Sequence, residues 1–365
     1  MAEIRIENLH KAFGDFVAVR NSNLTIEDGQ FFVLLGPSGC GKTTTLRMIA
    51  GLEIPTSGRI LLDGEDVTNL RAAKRDIAFV FQLFALYPHL NVRQNLAYPL
   101  KSQGTPRREI RQSVEEVAKL LRIDHLINQP VSGLAGGDRQ RVALGRAIIR
   151  RPKAFLMDEP LGALDAEFRE LMCEELRRLH DRIAATTVYV THDQVEAMAM
   201  GDVIAVMKKG EILQAGLPSE VYRRPATLFV AEFIGSPSMN FLPARGRLAP
   251  GADRVRVGGA EIPVPRLHRG LEGDEAVLGA RPEQIRLTDA GALRGRVFGV
   301  EYTGTRQIVV VDTDAGRLRV RAPNSVRVGL GDTVGLEFQQ DALVVFDKAS
   351  ERALDSDLMT GGGHG

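Results

Sequence analysis

Cysteine is nearly missing from this chain: Cys40 and Cys173 are the only two in 365 residues. Two thiols make no disulfide framework and point to a reducing compartment. Long apolar runs are missing too, since no stretch approaches the roughly eighteen residues that span a bilayer. The opening Met1-Ala2-Glu3-Ile4-Arg5-Ile6 alternates like a strand and lacks the apolar core of a signal peptide. Neither sign of charge is in excess, because 47 Lys and Arg face 46 Asp and Glu for a net charge of +1. A generic nucleic-acid binder would carry a strong basic surplus, so no nucleic-acid partner is expected. What is left is an ordinary globular composition, 44% apolar and 25% charged, with length for two or three domains. A cytoplasmic protein is expected, one that could still dock on a membrane partner.

Against that plain background one segment stands out. Gly36-Pro37-Ser38-Gly39-Cys40-Gly41-Lys42-Thr43 fits G-x-x-x-x-G-K-[ST] at every fixed position. Before it, Phe31-Phe32-Val33-Leu34-Leu35 reads as a buried strand; after it, Thr44-Thr45-Leu46-Arg47-Met48-Ile49-Ala50 reads as a helix. That strand, loop and helix order is the context the motif requires. Glycines let successive backbone N–H groups face a polyphosphate, and the helix N-terminus adds positive potential. Lys42 is expected to reach the β- and γ-phosphates, and the Thr43 hydroxyl to hold Mg²⁺. A nucleoside triphosphate is the expected ligand. Cys40 lies just before a helix N-terminus, which predicts a favoured thiolate, open to alkylation unless Mg-ATP covers it; a buried, inert thiol is the alternative.

Strands separated by turns fill residues 1–35, and Ile77-Ala78-Phe79-Val80-Phe81 is another strand-like run. Residues 105–126 turn helical, with Val114, Val117, Leu120 and Leu121 on one face. A second helix is expected over 139–150, ended by Arg151-Pro152, and a third carries Leu164, Phe168, Leu171, Met172, Leu176 and Leu179. Ala154-Phe155-Leu156-Met157 and Thr187-Val188-Tyr189-Val190 are short buried strands. This alternation predicts an α/β domain with a largely parallel sheet covered on both faces. The character changes near Ser236-Pro237-Ser238, which reads as a linker. Beyond it, alternating runs such as Arg254-Val255-Arg256-Val257, and a hairpin through Asp314-Ala315-Gly316, suggest a small β-barrel of the OB type. The expected boundaries are 1–235 for the first domain, with a helical subdomain at about 83–150, then 236–350 for the barrel. Residues 351–365 are expected to form a disordered tail, since Gly361 to Gly365 have nothing to bury.

The strand Ala154–Met157 ends in Asp158-Glu159. In phosphate-loop enzymes the first carboxylate holds Mg²⁺, and an adjacent one suits orienting or deprotonating the attacking water. Further along, Leu134-Ala135-Gly136-Gly137-Asp138-Arg139-Gln140-Arg141 resembles the signature loop of ATP-binding cassette (ABC) proteins, usually L-S-G-G-Q. Thr191-His192-Asp193 is similar to that family's switch histidine and Gln82 to its sensor glutamine. Leu164-Asp165 resembles its D-loop, and Phe13 the aromatic that stacks on adenine. Ala85-Leu86-Tyr87-Pro88-His89-Leu90, His192-Asp193-Gln194-Val195-Glu196-Ala197-Met198, Phe233-Ile234-Gly235-Ser236-Pro237-Ser238-Met239-Asn240 and Ala280-Arg281-Pro282-Glu283 are similar to ATPase subunits of carbohydrate importers of the maltose and glycerol-phosphate type. The resemblance runs from about residue 3 to 347.

That resemblance implies a phosphate-loop ABC ATPase domain followed by an OB/TOBE-like barrel. It implies a peripheral subunit on the cytoplasmic face of the bacterial plasma membrane, hydrolysing ATP with Mg²⁺ to drive import of a sugar, glycerol or a glycerol phosphate. Two ATPase subunits would sandwich two ATP molecules and work on two transmembrane permease subunits, fed by an extracytoplasmic solute-binding protein. Phosphates and metal would fall to Gly36 through Gly41, Lys42, Thr43, Thr44, Gln82 and Asp158, with Thr43, Gln82 and Asp158 on the metal. Glu159 would act on water and His192 on the γ-phosphate. Ala135, Gly136, Gly137, Asp138 and Asp165 would reach the partner's nucleotide. The segment 83–100, with Phe84, Leu86, Tyr87 and Leu90, would face the membrane subunit or bury against the chain's own core. A soluble cassette ATPase of translation or DNA repair and a mainly regulatory ATP-binding module are the alternatives.

The signature loop departs from the family, with Ala135 where serine is usual and Asp138 where glutamine is usual. Ser132 cannot substitute, because Arg139-Gln140-Arg141 fixes the register and places it three residues too early. The partner subunit is therefore expected to be either a second copy or a paralogue with a standard signature.

Overall fold

A computed structural model describes residues 2–81, 85–162, 164–245, 248–271, 273 and 275–360. The chain divides into two compact units, Met1–Pro218 and Ser219–Gly365.

In the first unit β1 (Ile4–Phe13) and β2 (Phe16–Ile26) form a hairpin closed at Phe13–Phe16, followed by β3 (Phe31–Leu35) and α1 (Lys42–Ile49). Then come β4 (Ser57–Leu62), β5 (Glu65–Asp66), β6 (Ile77–Val80), α2 (Val92–Ser102), α3 (Arg107–Leu120) and α4 (Gly136–Ile148). The unit ends with β7 (Ala154–Asp158), α5 (Ala166–Ile183), β8 (Thr186–Thr191), α6 (Gln194–Met200), β9 (Val203–Lys208) and β10 (Glu211–Gly216). The main sheet has the order β10-β9-β3-β8-β7-β6, parallel except for β10, beside a four-stranded antiparallel sheet β2-β1-β4-β5. Every residue of β3 and β8 is buried, as strands covered on both faces require. Phe32 and Leu34 share one core with Leu46, Met48 and Ile49 of α1 and with Ile4, Ile6 and Ile26 of the hairpin. On the opposite face Phe31 meets His180 of α5 edge-on, ring centres 5.1 Å apart.

The helical excursion between β6 and β7 opens with a capping box, Asn91 and Gln94 each accepting the other's backbone N–H. A Cβ on Gly145 of α4 would strike Leu96, Val117 and Leu121, so glycine is what lets α4 approach α2 and α3. Leu86, Tyr87 and Leu90 are half-buried, while Gln82 and Phe84 lie outside the described residues.

In the second unit α7 (Pro218–Arg223) and α8 (Leu228–Phe233) precede β11 (Asn240–Arg245), β12 (Arg254–Val257), β13 (Ala260–Pro263), β14 (Glu275–Ala280) and β15 (Ile285–Thr288). There follow β16 (Leu293–Tyr302), β17 (Arg306–Thr313), β18 (Gly316–Pro323), β19 (Thr333–Phe338), β20 (Val344–Asp347) and α9 (Asp357–Thr360). They make two antiparallel five-stranded sheets, β13-β12-β11-β14-β20 and β15-β19-β16-β17-β18. Leu242, Val257 and Leu278 of one sheet share a core with Val297, Val309, Leu318 and Leu336 of the other.

Two boundaries differ from the sequence reading. The division falls at 218/219, not 235/236, because α7 and α8 are tied to the buried Arg281. Its guanidinium donates to the carbonyls of Tyr222 at 2.8 Å, Ala231 at 3.0 Å and Ile234. Residues 351–360 are not a structureless tail either. Arg352, Ala353 and Ser356 form bridges to Thr227, Phe346 and Leu267, and Leu354 is buried in the core between the sheets. Residues 361–365 lie outside the described residues.

Candidate active site

Strands β3, β8 and β7 are neighbours in the sheet, and the predicted chemistry lies at or directly after their C-terminal ends. That edge of a parallel α/β sheet is where ligands bind. The loop leaving β3 enters α1 through Gly41 at φ 110°, a conformation that glycine alone adopts at little cost. A Cβ on Gly41 would hit the Ala18 carbonyl of β2, and one on Gly36 the Met207 carbonyl of β9. The loop is thus clamped from two sides, with Ser38 and Gly39 exposed at its tip.

Lys42 is only 4% exposed, and its ammonium donates to the carbonyls of Gly36 at 2.8 Å and Pro37 at 3.0 Å. Its Nζ lies 4.0 Å from Glu159 Oε1, and Glu159 Oε2 lies 3.2 Å from His192 Nδ1. Beside them the Thr43 hydroxyl donates to Asp158 Oδ1 at 2.9 Å. Burial pushes the Asp158 carboxyl above its ordinary value, and the Thr43 hydrogen bond opposes the shift. Hydroxyl and carboxylate together are an all-oxygen pair of the kind Mg²⁺ takes beside phosphate oxygens and water, so the residues fit that ion. Gln82, the remaining expected ligand, is not among the described residues.

Glu159 has φ 43°, in the left-handed region that a glutamate seldom enters. Its N–H donates to the Val190 carbonyl of β8 at 3.0 Å. The neighbouring strand therefore holds the turn that swings Glu159 toward Lys42 and His192. Such backbone strain costs about 1–3 kcal/mol and persists only where the surroundings impose it.

The expectation for Cys40 is overturned. The residue is 4% exposed, and its sulfur lies where a Cβ on Gly36 would fall, tucked behind the loop. Burial raises the thiol above its ordinary value and outweighs the charge of Lys42, so the thiolate is disfavoured.

A second group of predicted residues surrounds the start of α4 and α5. Ala135 is the N-cap of α4 at φ −60° and ψ 160°, and has no side-chain oxygen to cap it. A Cβ on Gly137 would overlap the Phe168 ring of α5, and Gly136 lies beside Leu164. Asp138 in the first turn is 3.5 Å from Arg141, which also pairs with Glu175 at 3.3 Å. Asp165 caps α5 by accepting the Phe168 N–H at 2.9 Å. Phe13 stands at the hairpin end, 48% exposed, with the Lys11 ammonium 4.7 Å from its ring centre.

Two residues at the site have no role assigned from the sequence, although Glu196 lies within the importer-like run 192–198. Arg169 of α5 and Glu196 of α6 tie the turn before α5 to the segment after β8. Arg169 falls one helical turn after Asp165, whose carbonyl accepts its N–H at 2.9 Å, and Glu196 belongs to the run 192–198; those are the signals the sequence offers.

Among known proteins, the ABC transporter family model matches residues 19–162, the MalK OB fold domain 235–285 and the TOBE domain 278–346. The chain is 45% identical to the trehalose/maltose import ATP-binding protein MalK of Thermococcus litoralis, over 97% of this chain and 100% of that one. It is 41% identical to the sn-glycerol-3-phosphate import ATP-binding protein UgpC of Psychromonas ingrahamii, over 98% and 97% of the two chains. A dimeric bacterial ABC transporter cassette of known structure superposes with a TM-score of 0.53 at 33% identity, covering 59% of this chain and 98% of that one. With the loop, the two carboxylates and the histidine gathered at one sheet edge, the chain belongs to the ABC transporter family of ATPases, in the group whose ATPase domain is followed by MalK-type OB and TOBE domains.

Proposed function

We propose that this protein is the ATP-hydrolysing subunit of an importer for a carbohydrate or polyol: a sugar, glycerol or a glycerol phosphate. The observation that carries the reading is the cluster of Lys42, Thr43, Asp158, Glu159 and His192 at the ends of three adjacent strands. The relatives named for trehalose, maltose and glycerol-phosphate import support the solute class. No described helix is long and apolar enough to cross a membrane. In this reading passage of the solute falls to partner subunits, as the relatives named as import ATP-binding proteins support.

In this reading Phe13 stacks on adenine, and the backbone N–H groups of 36–41, with Lys42 and Thr44, hold the phosphates. Mg²⁺, held by Thr43, Asp158 and Gln82, would neutralise phosphate charge. Glu159 takes the proton of the attacking water, and His192, against its other oxygen, contacts the γ-phosphate. Across a dimer, Ala135, Gly136, Gly137, Asp138 and Asp165 complete the partner's site. The cleft between Tyr87, Tyr98 and Arg146 suits a helix of a permease subunit, with aromatic rings 4.4 Å apart and a guanidinium at its wall. The complex sits on the cytoplasmic face of the plasma membrane and receives solute from an extracytoplasmic binding protein. Co-purification should recover two hydrophobic membrane subunits, and vesicles containing the complex should take up solute only with ATP. Recovery of the ATPase without membrane subunits would refute the import reading.

Ala135 bears on the second ATPase subunit. A serine hydroxyl there would add one hydrogen bond to a charged phosphate, worth about 1.5–3 kcal/mol, and would also cap α4. Ala135→Ser is therefore expected to raise ATP turnover about tenfold or more. Unchanged turnover would remove position 135 from the site. In a pair of identical chains both sites gain; in a pair with a serine-bearing paralogue only the site that Ala135 completes gains. Purification from the native host, with a count of ATPase species, distinguishes the two assemblies.

A further inference from the structure

Arg169 is the point where two functional turns meet. Its Nη2 donates to the Leu164 carbonyl at 2.8 Å, in the turn that carries Asp165. Its Nη1 donates to Asp193 Oδ2 at 3.2 Å, and its Nε lies 3.6 Å from Glu196 Oε1. Asp193 follows His192 directly and uses its other oxygen to cap α6, accepting the Val195 N–H at 2.7 Å. Glu196 is 4% exposed and accepts hydrogen bonds from Tyr189 at 2.8 Å and Thr191 at 2.7 Å, both on β8, the strand that directly precedes His192. One planar cation thus spans a backbone carbonyl of one turn and two carboxylates of the other. The link to Glu196 is an ion pair too long for a hydrogen bond, whereas those to Leu164 and Asp193 are hydrogen bonds, and a lysine point charge cannot reproduce the three together.

We propose that Arg169 is a positioning residue that fixes the Asp165 turn relative to His192, so that the turn facing the partner's nucleotide and the histidine facing this chain's own nucleotide keep one geometry. The side-chain contacts of Arg169 run to Leu164, Asp193 and Glu196. Its loss is expected to slow the chemical step and leave ATP affinity alone, since a misplacement of about 1 Å at reacting groups can cost about a hundredfold in rate. Glu196→Gln isolates the link: the amide oxygen still accepts from Tyr189 and Thr191, but the charge facing Arg169 is gone.

The inference rests on the proposed roles of Asp165 and His192, so the test carries a control for them. Turnover is measured in the reconstituted transporter, and affinity by calorimetric titration of the full chain with a non-hydrolysable ATP analogue. Arg169→Met is expected to lower turnover by about tenfold or more with affinity held within about threefold. Glu196→Gln should act in the same direction, and the double variant should fall no further than the lower single variant, because both break one link. If Arg169→Met does not fold, Arg169→Lys takes its place under the same criteria. A smaller loss of turnover, a larger loss of affinity, or losses that multiply in the double variant would each overturn the proposal. Glu159→Gln in the same assay separates the two failures. If it retains turnover, the site reading itself falls; if it is inactive while Arg169→Met is not, only the positioning role falls.

Discussion

Glu159→Gln is expected to lower ATP turnover by about 10²–10⁴-fold while ATP still binds, the usual weight of a general base. The substitution is nearly isosteric, so the contact to His192 Nδ1 at 3.2 Å and the backbone bond to Val190 should survive. What the amide lacks is the ability to accept a proton from water. Phosphate binding belongs to other groups, the loop backbone and Lys42, so affinity should hold. Turnover of the assembled transporter and nucleotide binding of the isolated chain are the two measurements required. Near-normal turnover would refute the assignment of Glu159.

Lys42→Ala is expected to act on the other parameter. The ammonium sits buried between the Gly36 and Pro37 carbonyls, at the centre of the loop that should receive phosphate. Removing a charge-assisted hydrogen bond to phosphate costs about 1.5–3 kcal/mol, or roughly tenfold to a hundredfold in Kd. Titration with a non-hydrolysable ATP analogue reads this directly, and comparing unfolding without nucleotide separates it from a folding defect. An unchanged Kd would show that Lys42 does not bind phosphate. Together the two variants separate binding from chemistry at one site.

The parts of the site legible in the sequence are those whose physics is local. The 36–43 loop is readable because its glycines, lysine and threonine are contiguous and its flanking strand and helix are adjacent. Asp158 and Glu159 are readable because they end an apolar strand. The helix expected over 139–150 begins instead at Gly136, since glycines discourage a helical reading although Gly137 is needed to clear the Phe168 ring. Helix α2, with Pro99 inside it, was not distinguished from its surroundings. Cys40 was misread because the burial that raises its thiol comes from the fold around the loop, not from its place before a helix. Arg169 and Glu196 were invisible as a pair because α5 and α6 meet only in three dimensions. The same holds for Arg281, which takes α7 and α8 into the second unit from about fifty residues away, and for the bridges that order 351–360.

Strands β6 and β7 pair directly in the sheet, yet the whole helical excursion of α2, α3 and α4 lies between them in sequence. Its entrance and exit are therefore adjacent, and the register of the sheet does not depend on its length. Closing a flexible excursion twice as long costs only about 0.6 kcal/mol more. Evolution can accordingly lengthen, trim or replace the α2 and α3 part of this segment, and so change what it docks against, while Asp158, Glu159 and Lys42 stay where the strands put them and the loop before α4 keeps its place. Lineages that diverge in partner should then vary most over α2 and α3, between Val92 and Leu120, and least at the strand ends and the 134–141 segment.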